Sequence, residues 1–307
     1  MLDYYRRLIA DQTRTAAFTR ALEAVIKPGQ VVIDLGCGTG LLSLIACQLG
    51  ASRVYAIERR HAADFAALLA RDPLYADRIH VIHADSHEVQ LPELGDVLVT
   101  ETLGMLGLDE GIAGSVIDAR RLLRPDATII PRAVDVWLAP VQCPDLYETH
   151  VGWWSGRHAG IDWAPLQPYA SRTIQPVTLP PDSLLAAPVI ALHVDLTSIT
   201  TPAIAGSATF TATRSGTLHG FAGWFDATLA DGITLTNAPP SDASWSQALL
   251  PLETPIDGHE GAEVLVELST FDGAQWRWRG AVDRKEFDQN TAFAAPPCTE
   301  RSRSPKS

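Results

Sequence analysis

The sequence predicts an α/β fold in two parts, a Rossmann-like domain built on a parallel sheet followed by a β-barrel-like domain. Two observations carry this. In the first third, short apolar runs alternate with helical segments, and a glycine-rich turn joins the first run to the first helix. In the second half, segments of alternating polarity are separated by clusters of Gly, Pro, Asn and Asp.

Taken in order, Val31 to Asp34 reads as a strand, Gly36-Cys37-Gly38-Thr39-Gly40 as a turn and Leu41 to Leu49 as a helix. Arg53 to Ile57 is a second strand ending in Glu58, and Ile79 to His83 and Asp96 to Thr100 are a third and a fourth. Beyond Pro125 the pattern changes. Ala127 to Ile130 and Val134 to Leu138 are strand-like and proline-flanked, with little helix expected afterwards, and Ala208 to Thr213, Leu218 to Phe225 and Ala262 to Leu268 typify the rest. A boundary near Pro131 to Pro140 divides the chain into residues 1–131, a cofactor-binding domain, and residues 132–295, a barrel. The polar, proline-containing tail 296–307 is expected to be disordered.

At 307 residues there is room for two cores. A net charge of -12 argues against a nucleic-acid surface, whose affinity draws on clustered Lys and Arg; cationic or neutral substrates fit better. No apolar run approaches the roughly 20 residues needed to span a bilayer, and Met1 to Arg14 carries charges where a signal peptide would be apolar. The expectation is a cytoplasmic protein without a membrane partner. Cys37, Cys47, Cys143 and Cys298 lack the paired spacing of a metal site or a disulfide framework, so reduced thiols and no metal are expected. Only three lysines, Lys27, Lys285 and Lys306, stand against many arginines and alanines, a composition that hints at a GC-rich bacterial genome.

A strand ending in Asp34, glycines at 36, 38 and 40, and then a helix place backbone N–H groups and a helix N-terminus around a nucleotide-like ligand. The spacing G-x-G-x-G after a strand-end acid is that of methyltransferases rather than the dinucleotide G-x-G-x-x-G, which leaves an NAD enzyme as a minor alternative. Glu58, about 20 residues on, is placed to accept two ribose hydroxyls, although a strand-end acid beside Arg59 and Arg60 can also be merely solvated. Asp85 could accept the adenine amino group, as could Ser86 or His87; as a turn former it needs no ligand at all.

After the fourth strand the chain reads Glu101-Thr-Leu-Gly-Met-Leu-Gly-Leu-Asp-Glu110. Two carboxylates that converge without a metal repel each other unless a cation lies between them, and a planar guanidinium with five donors fits. The inferred guest is arginine-like. Two alternatives stay open: Glu110 capping a helix that starts near Gly111, and Asp109 supplying the second carboxylate.

Together these residues resemble the protein arginine methyltransferase family. The similarity runs through Asp11-Gln-Thr-Arg14-Thr, Val32-Ile-Asp34-Leu-Gly36-Cys-Gly38-Thr-Gly40, Val54-Tyr-Ala-Ile-Glu58, the double-glutamate loop, Ala119-Arg120 and Pro131, and on to His219-Gly-Phe-Ala-Gly-Trp224-Phe225 and Ser244-Trp245. The resemblance implies S-adenosyl-L-methionine as cofactor, Arg14 as the ligand of its methionine carboxylate, and Glu101 and Glu110 as the guanidinium grip. It also implies a homodimer formed through an arm early in the barrel half, where Trp153, Trp154 and Trp163 lie; these could equally be core.

Three departures stand out. The tyrosine-rich motif expected before Asp11 is reduced to Tyr4 and Tyr5, which weakens the expectation of an N-terminal helical lid. The family's Thr-His-Trp loop reads Ala243-Ser244-Trp245, so its histidine is absent. The acid expected near the adenine aligns with His87. With that histidine gone, Glu110, water or Asp11 is expected to take the substrate proton. The missing N-terminal motif, the altered barrel loop and the bacterial composition lean the substrate expectation toward free L-arginine or a small guanidino compound in a bacterial biosynthetic pathway. Protein arginine methylation and a non-catalytic cofactor-binding scaffold are the alternatives.

Overall fold

A computed structural model describes residues 2–180, 182–241 and 243–292. The expected tail at 296–307, with Cys298, lies outside the described residues.

The chain opens with two helices, α1 (Leu2–Ala10) and α2 (Gln12–Val25), before β1 (Val31–Leu35), α3 (Leu41–Gln48), β2 (Arg53–Glu58), α4 (Ala62–Leu69), β3 (Ile79–His83), β4 (Gly95–Thr100), α5 (Ile112–Ala119) and β5 (Leu123–Ile130). The five strands form one parallel sheet in the order β3-β2-β1-β4-β5. All five residues of β1 are buried, as expected for a strand covered on both faces. Strand order reverses between β1 and β4, the position at whose carboxyl edge open α/β sheets bind ligands. The glycine turn follows β1 there, and the double-glutamate loop follows β4.

The chain passes into the second sheet system at Pro131 and Arg132. β6 (Ala133–Val141) leads to an excursion of α6 (Pro144–His150), a two-stranded ribbon of β7 (Arg157–His158) and β8 (Ile161–Asp162), α7 (Gln167–Ala170) and β9 (Gln175–Val177). Then come β10 (Val189–Asp195), β11 (Ile204–Thr211), β12 (Gly216–Ala230), β13 (Ile233–Thr236), β14 (Gln247–Gly258), β15 (Glu263–Thr270), β16 (Trp276–Val282) and β17 (Lys285–Asn290). β10-β6-β12-β14-β9 make one sheet, with β13 on β12, and β11-β15-β16-β17 another; β10 lies along β11 and β14 approaches β17, so the sheets face each other as a barrel. β15 alternates buried and exposed residues, the signature of a sheet with one wet face.

As expected, little helix follows Pro125, and among the described residues it is confined to the excursion. Its helices are short, and α6 is signalled only by Pro144 at its first turn followed by Asp145. Trp153, Trp154 and Trp163 pack edge to face on one another, and Trp153 stacks on His158. Trp153 is 43% exposed and none of the three belongs to the buried core, which settles that alternative against core. Among the described residues no helix is long and apolar enough to cross a membrane.

Candidate active site

The glycine turn owes its shape to backbone sterics. Gly36, Gly38 and Gly40 all have positive φ, from 55° to 84°, which side-chain-bearing residues rarely adopt. Gly38 donates its N–H to Glu58 Oε2 at 3.0 Å, and Arg60 donates its N–H to Glu58 Oε1 at 2.7 Å. The strand-end acid is therefore held against the turn. Each of its oxygens keeps a second lone pair for a ligand hydroxyl. Asp34 is placed otherwise: it is buried beneath the turn and accepts from Ser43 Oγ at 2.6 Å, so it braces β1 against α3 rather than facing a ligand. Burial pushes its carboxyl up to about 6.

Asp85 caps a short 3-10 turn, accepting from the N–H of His87 at 3.1 Å and meeting its Nδ1 at 2.7 Å. This bond lowers the Asp85 carboxyl and raises the His87 imidazole. Both side chains stand well exposed at the end of β3, on the Glu58 side of the sheet edge.

The double-glutamate loop is anchored through its leucines. Leu103, Leu106 and Leu108 are fully buried. Asp109 accepts from the N–H groups of Met105 (2.9 Å) and Leu106 (2.7 Å), which assigns its carboxylate to the loop backbone and removes it as the second carboxylate of the pair. A side chain on Gly104 would strike Asp109. The cap of α5 is Gly111, with no side-chain hydrogen bond, so Glu110 is not a helix cap.

Glu101 is buried and accepts from Arg14 Nε at 2.8 Å and also from Arg14 Nη2. Arg14 gives a third bond to the Leu8 carbonyl at 3.2 Å, which leaves guanidinium donors over for a ligand carboxylate. Desolvation raises the Glu101 carboxyl despite the arginine. Desolvation also raises Glu110, and the neighbouring charge of Glu101 raises it further; Glu110 has no hydrogen-bond partner among the described residues and stays accessible to solvent. A carboxyl raised by burial and by a neighbouring carboxylate beside an opening suits a cationic, hydrogen-bonding guest.

The helix α1 corrects the expectation that the N-terminal lid is weakened. Its Tyr5 ring lies directly over Gly38, 3.3 Å from where a Cβ would stand, and Tyr4 is raised first by burial and then by the charges of Glu110 and Glu101. Two tyrosines thus suffice to cover the turn and face the acids. The altered barrel loop also closes on the site. Asp11, the N-cap of α2, accepts from the Arg14 N–H at 2.9 Å through Oδ1, and through Oδ2 from both the N–H (2.6 Å) and the hydroxyl of Ser244. A cleft of about 330 Å³ opens beside this contact, between Tyr4, Arg6, Arg7 and Ser244. The resemblance pairs Asp11 with a histidine in the place of Ser244, which implies that the contact is lost; the serine makes it instead.

Sheet order, glycine turn and strand-end acid are those of a class I, S-adenosylmethionine-dependent methyltransferase. Residues 12–103 match the family described as ribosomal protein L11 methyltransferase, and residues 132–283 match the one described as the arginine methyltransferase oligomerization subdomain. Protein arginine N-methyltransferase 6 of Danio rerio is 31% identical over 287 residues, covering 87% of this chain and 81% of its own. The Xenopus tropicalis protein of that name is 31% identical over 288 residues, covering 87% and 84%. The Trypanosoma brucei PRMT1 enzyme–prozyme heterotetrameric complex with AdoHcy superposes at a TM-score of 0.83 with 21% identity, over 94% of this chain and 96% of that one. Arabidopsis thaliana protein arginine methyltransferase 10, in an open conformation, superposes at 0.77 with 23% identity, over 95% and 98%. The chain belongs to the protein arginine methyltransferase family, whose reaction is transfer of a methyl group to an arginine nitrogen.

Proposed function

We propose that this protein methylates arginine side chains in protein substrates, with Glu101 and Glu110 gripping the guanidinium. The observation that carries this is Glu101 held on Arg14, its side chain 11% exposed, beside a Glu110 that makes no hydrogen bond among the described residues and is raised by Glu101. The lean toward free arginine rested on two altered places, the N-terminal motif and the barrel loop, and on a composition that hinted at a bacterium. Tyr4 and Tyr5 on α1 and the Ser244–Asp11 bond fill both places, and the relatives that match over most of their length are named as protein methyltransferases. Nothing in the comparisons supports a small-molecule bacterial pathway. The substrate reading is therefore corrected to protein-bound arginine.

S-adenosyl-L-methionine would supply an activated methyl group, with its ribose on Glu58, its carboxylate on Arg14, its glycine-loop contacts at Gly36, Gly38 and Gly40, and its adenine near Asp85 and His87. Asp34 supports that site from below. For their part, Glu101 and Glu110 draw positive charge toward themselves and away from the attacking nitrogen, and they align it. As the methyl passes to the nitrogen its bond to sulfur would break, the electron pair staying on sulfur, and the methylated nitrogen would then shed a proton. Asp11 already accepts three bonds from Arg14 and Ser244 whereas Glu110 accepts none among the described residues, so we assign the proton to a Glu110 carboxylate oxygen.

The arm between Pro144 and Val177 presents Trp153, Ile161 and Leu166 to solvent and lies within the oligomerization subdomain match; we assign it the role of holding a homodimer together. A cytoplasmic location suits the buried free thiols of Cys37, Cys47 and Cys143.

Labelled S-adenosylmethionine offered with an arginine-rich peptide and, separately, with free arginine tests the reading. Label in the peptide is expected. Transfer to free arginine alone would overturn the substrate assignment, and cofactor binding without any transfer would identify a scaffold.

A further inference from the structure

Between the two glutamates, the loop apex is held by a residue on the far side of the chain. Asn237, fully buried just after β13, donates through Nδ2 to the Met105 carbonyl at 3.0 Å and to the Ser246 carbonyl at 2.8 Å. Its Oδ1 accepts from the Phe225 N–H at 2.8 Å. The amide can face only one way, since two carbonyls require the NH₂ and one N–H requires the oxygen. Its own carbonyl accepts from Gln247 Nε2 at 2.8 Å, and Gln247 Oε1 accepts from the Leu179 N–H at 3.2 Å.

The consequence lies in what those carbonyls belong to. Met105 is the midpoint of the double-glutamate loop, and its N–H is already bound to Asp109, so both of its peptide groups are fixed. Ser246 stands two residues from Ser244, which holds Asp11, and the backbone of Asp11's helix carries Arg14 to Glu101. These bonds close a ring around the candidate site: Glu101, Arg14, Asp11, Ser244, Ser246, Asn237 and Met105 back to the loop. Packing follows the same path, because a side chain on Gly107 would strike Val134 and Phe225, and one on Gly223 would strike Leu106. A buried, fully satisfied amide fixes one arrangement sharply, because every alternative leaves a polar group unpaired.

We propose that Asn237 is a positioning residue for arginine methylation, setting the double-glutamate loop in register with the barrel loop that carries Ser244. The inference rests on the reading of Glu101 and Glu110 as the guanidinium grip. Of the cofactor residues, Gly36 and Gly38 in the turn after β1 and Glu58 at the end of β2 stand outside the ring, and Arg14 is held in it by Glu101 and Asp11 rather than by Asn237, so the two halves of the site should respond differently to its loss.

Asn237→Asp is the test, since it keeps the shape and the Phe225 bond but turns an oxygen toward two carbonyls. In the full-length protein, kcat/KM for an arginine peptide is expected to fall roughly 10- to 100-fold, while the Kd for S-adenosylhomocysteine, read by calorimetry, stays within about twofold. Amide hydrogen exchange is expected to quicken over residues 101–110 and 243–246 and to stay unchanged in β1 to β3. Should the aspartate fail to unfold cooperatively, Asn237→Ser, too short to span both carbonyls, is read by the same three measurements. Unchanged kcat/KM, or cofactor affinity lost in equal proportion, overturns the positioning role. Absence of methyl transfer by the wild-type protein sinks the functional reading instead, and the exchange pattern still decides whether Asn237 holds the loop.

Discussion

Arg14 and Glu101, 87 residues apart, meet through two guanidinium N–H groups and one carboxylate oxygen, with side chains 9% and 11% exposed. An ion pair so shielded fixes geometry more than it adds stability, because desolvation offsets much of the attraction. What it fixes is the direction of the carboxylate. Glu101→Gln removes the charge that would attract the guanidinium and is expected to lower kcat about 10²- to 10³-fold with little change in cofactor affinity. Arg14→Lys loses the two-pronged contact and is expected to lose activity roughly tenfold or more. Steady-state kinetics with calorimetry on each variant checks both; full turnover in Glu101→Gln would remove the glutamate grip.

The pH profile follows from the same pair. Glu101 and Glu110 both lie above the ordinary glutamate value, and each must be ionised to hold a cation. Activity should therefore be lost as pH falls through the raised values, placing the acid limb of kcat/KM above about 4.3. Ser244, unlike a histidine at that place, adds no titration of its own. A limb at or below the free-glutamate value would contradict the crowding of the two acids.

Local chemistry was legible in the residues and long-range pairing was not. The turn from Gly36 to Gly40, Glu58 and the loop from Glu101 to Glu110 announce themselves because their geometry is set within a few positions. β1 to β4 and the barrel strands were readable for the same reason, from short-period polarity. Ser244 reaching Asp11 and Asn237 reaching Met105 join segments 233 and 132 residues apart, and no periodicity encodes that. Asp109 shows a second limit. Its carboxylate looks as available as Glu110's until Gly104 and Gly107, both at positive φ, fold the loop back onto it.

The arm invites a direct measurement. Trp153, Ile161 and Leu166 are 43%, 55% and 40% exposed, an apolar display on a segment anchored to β14 through Tyr147 and Gln167. Ile161→Asp with Leu166→Asp places charge on that display without touching the catalytic loop. Sedimentation equilibrium should show the wild type as a dimer and the variant shifted toward monomer. Wild-type protein that stays monomeric at micromolar concentration would remove the assigned role.

Asp34 carries the prediction for stability. It is buried, and its pKa lies at about 6 against an ordinary 3.8, chiefly through desolvation, with the Ser43 bond only partly offsetting it. The native state thus binds the proton more tightly than the unfolded chain. Its contribution is fully present below the unfolded value and is lost as pH rises through about 6, a change on the order of 3 kcal/mol. Asp34→Asn cannot ionise and keeps a carbonyl oxygen for Ser43. Urea midpoints between pH 4 and 7 should fall for the wild type relative to this variant across that window. Parallel curves would mean that Asp34 ionises in the folded protein as freely as in the unfolded one.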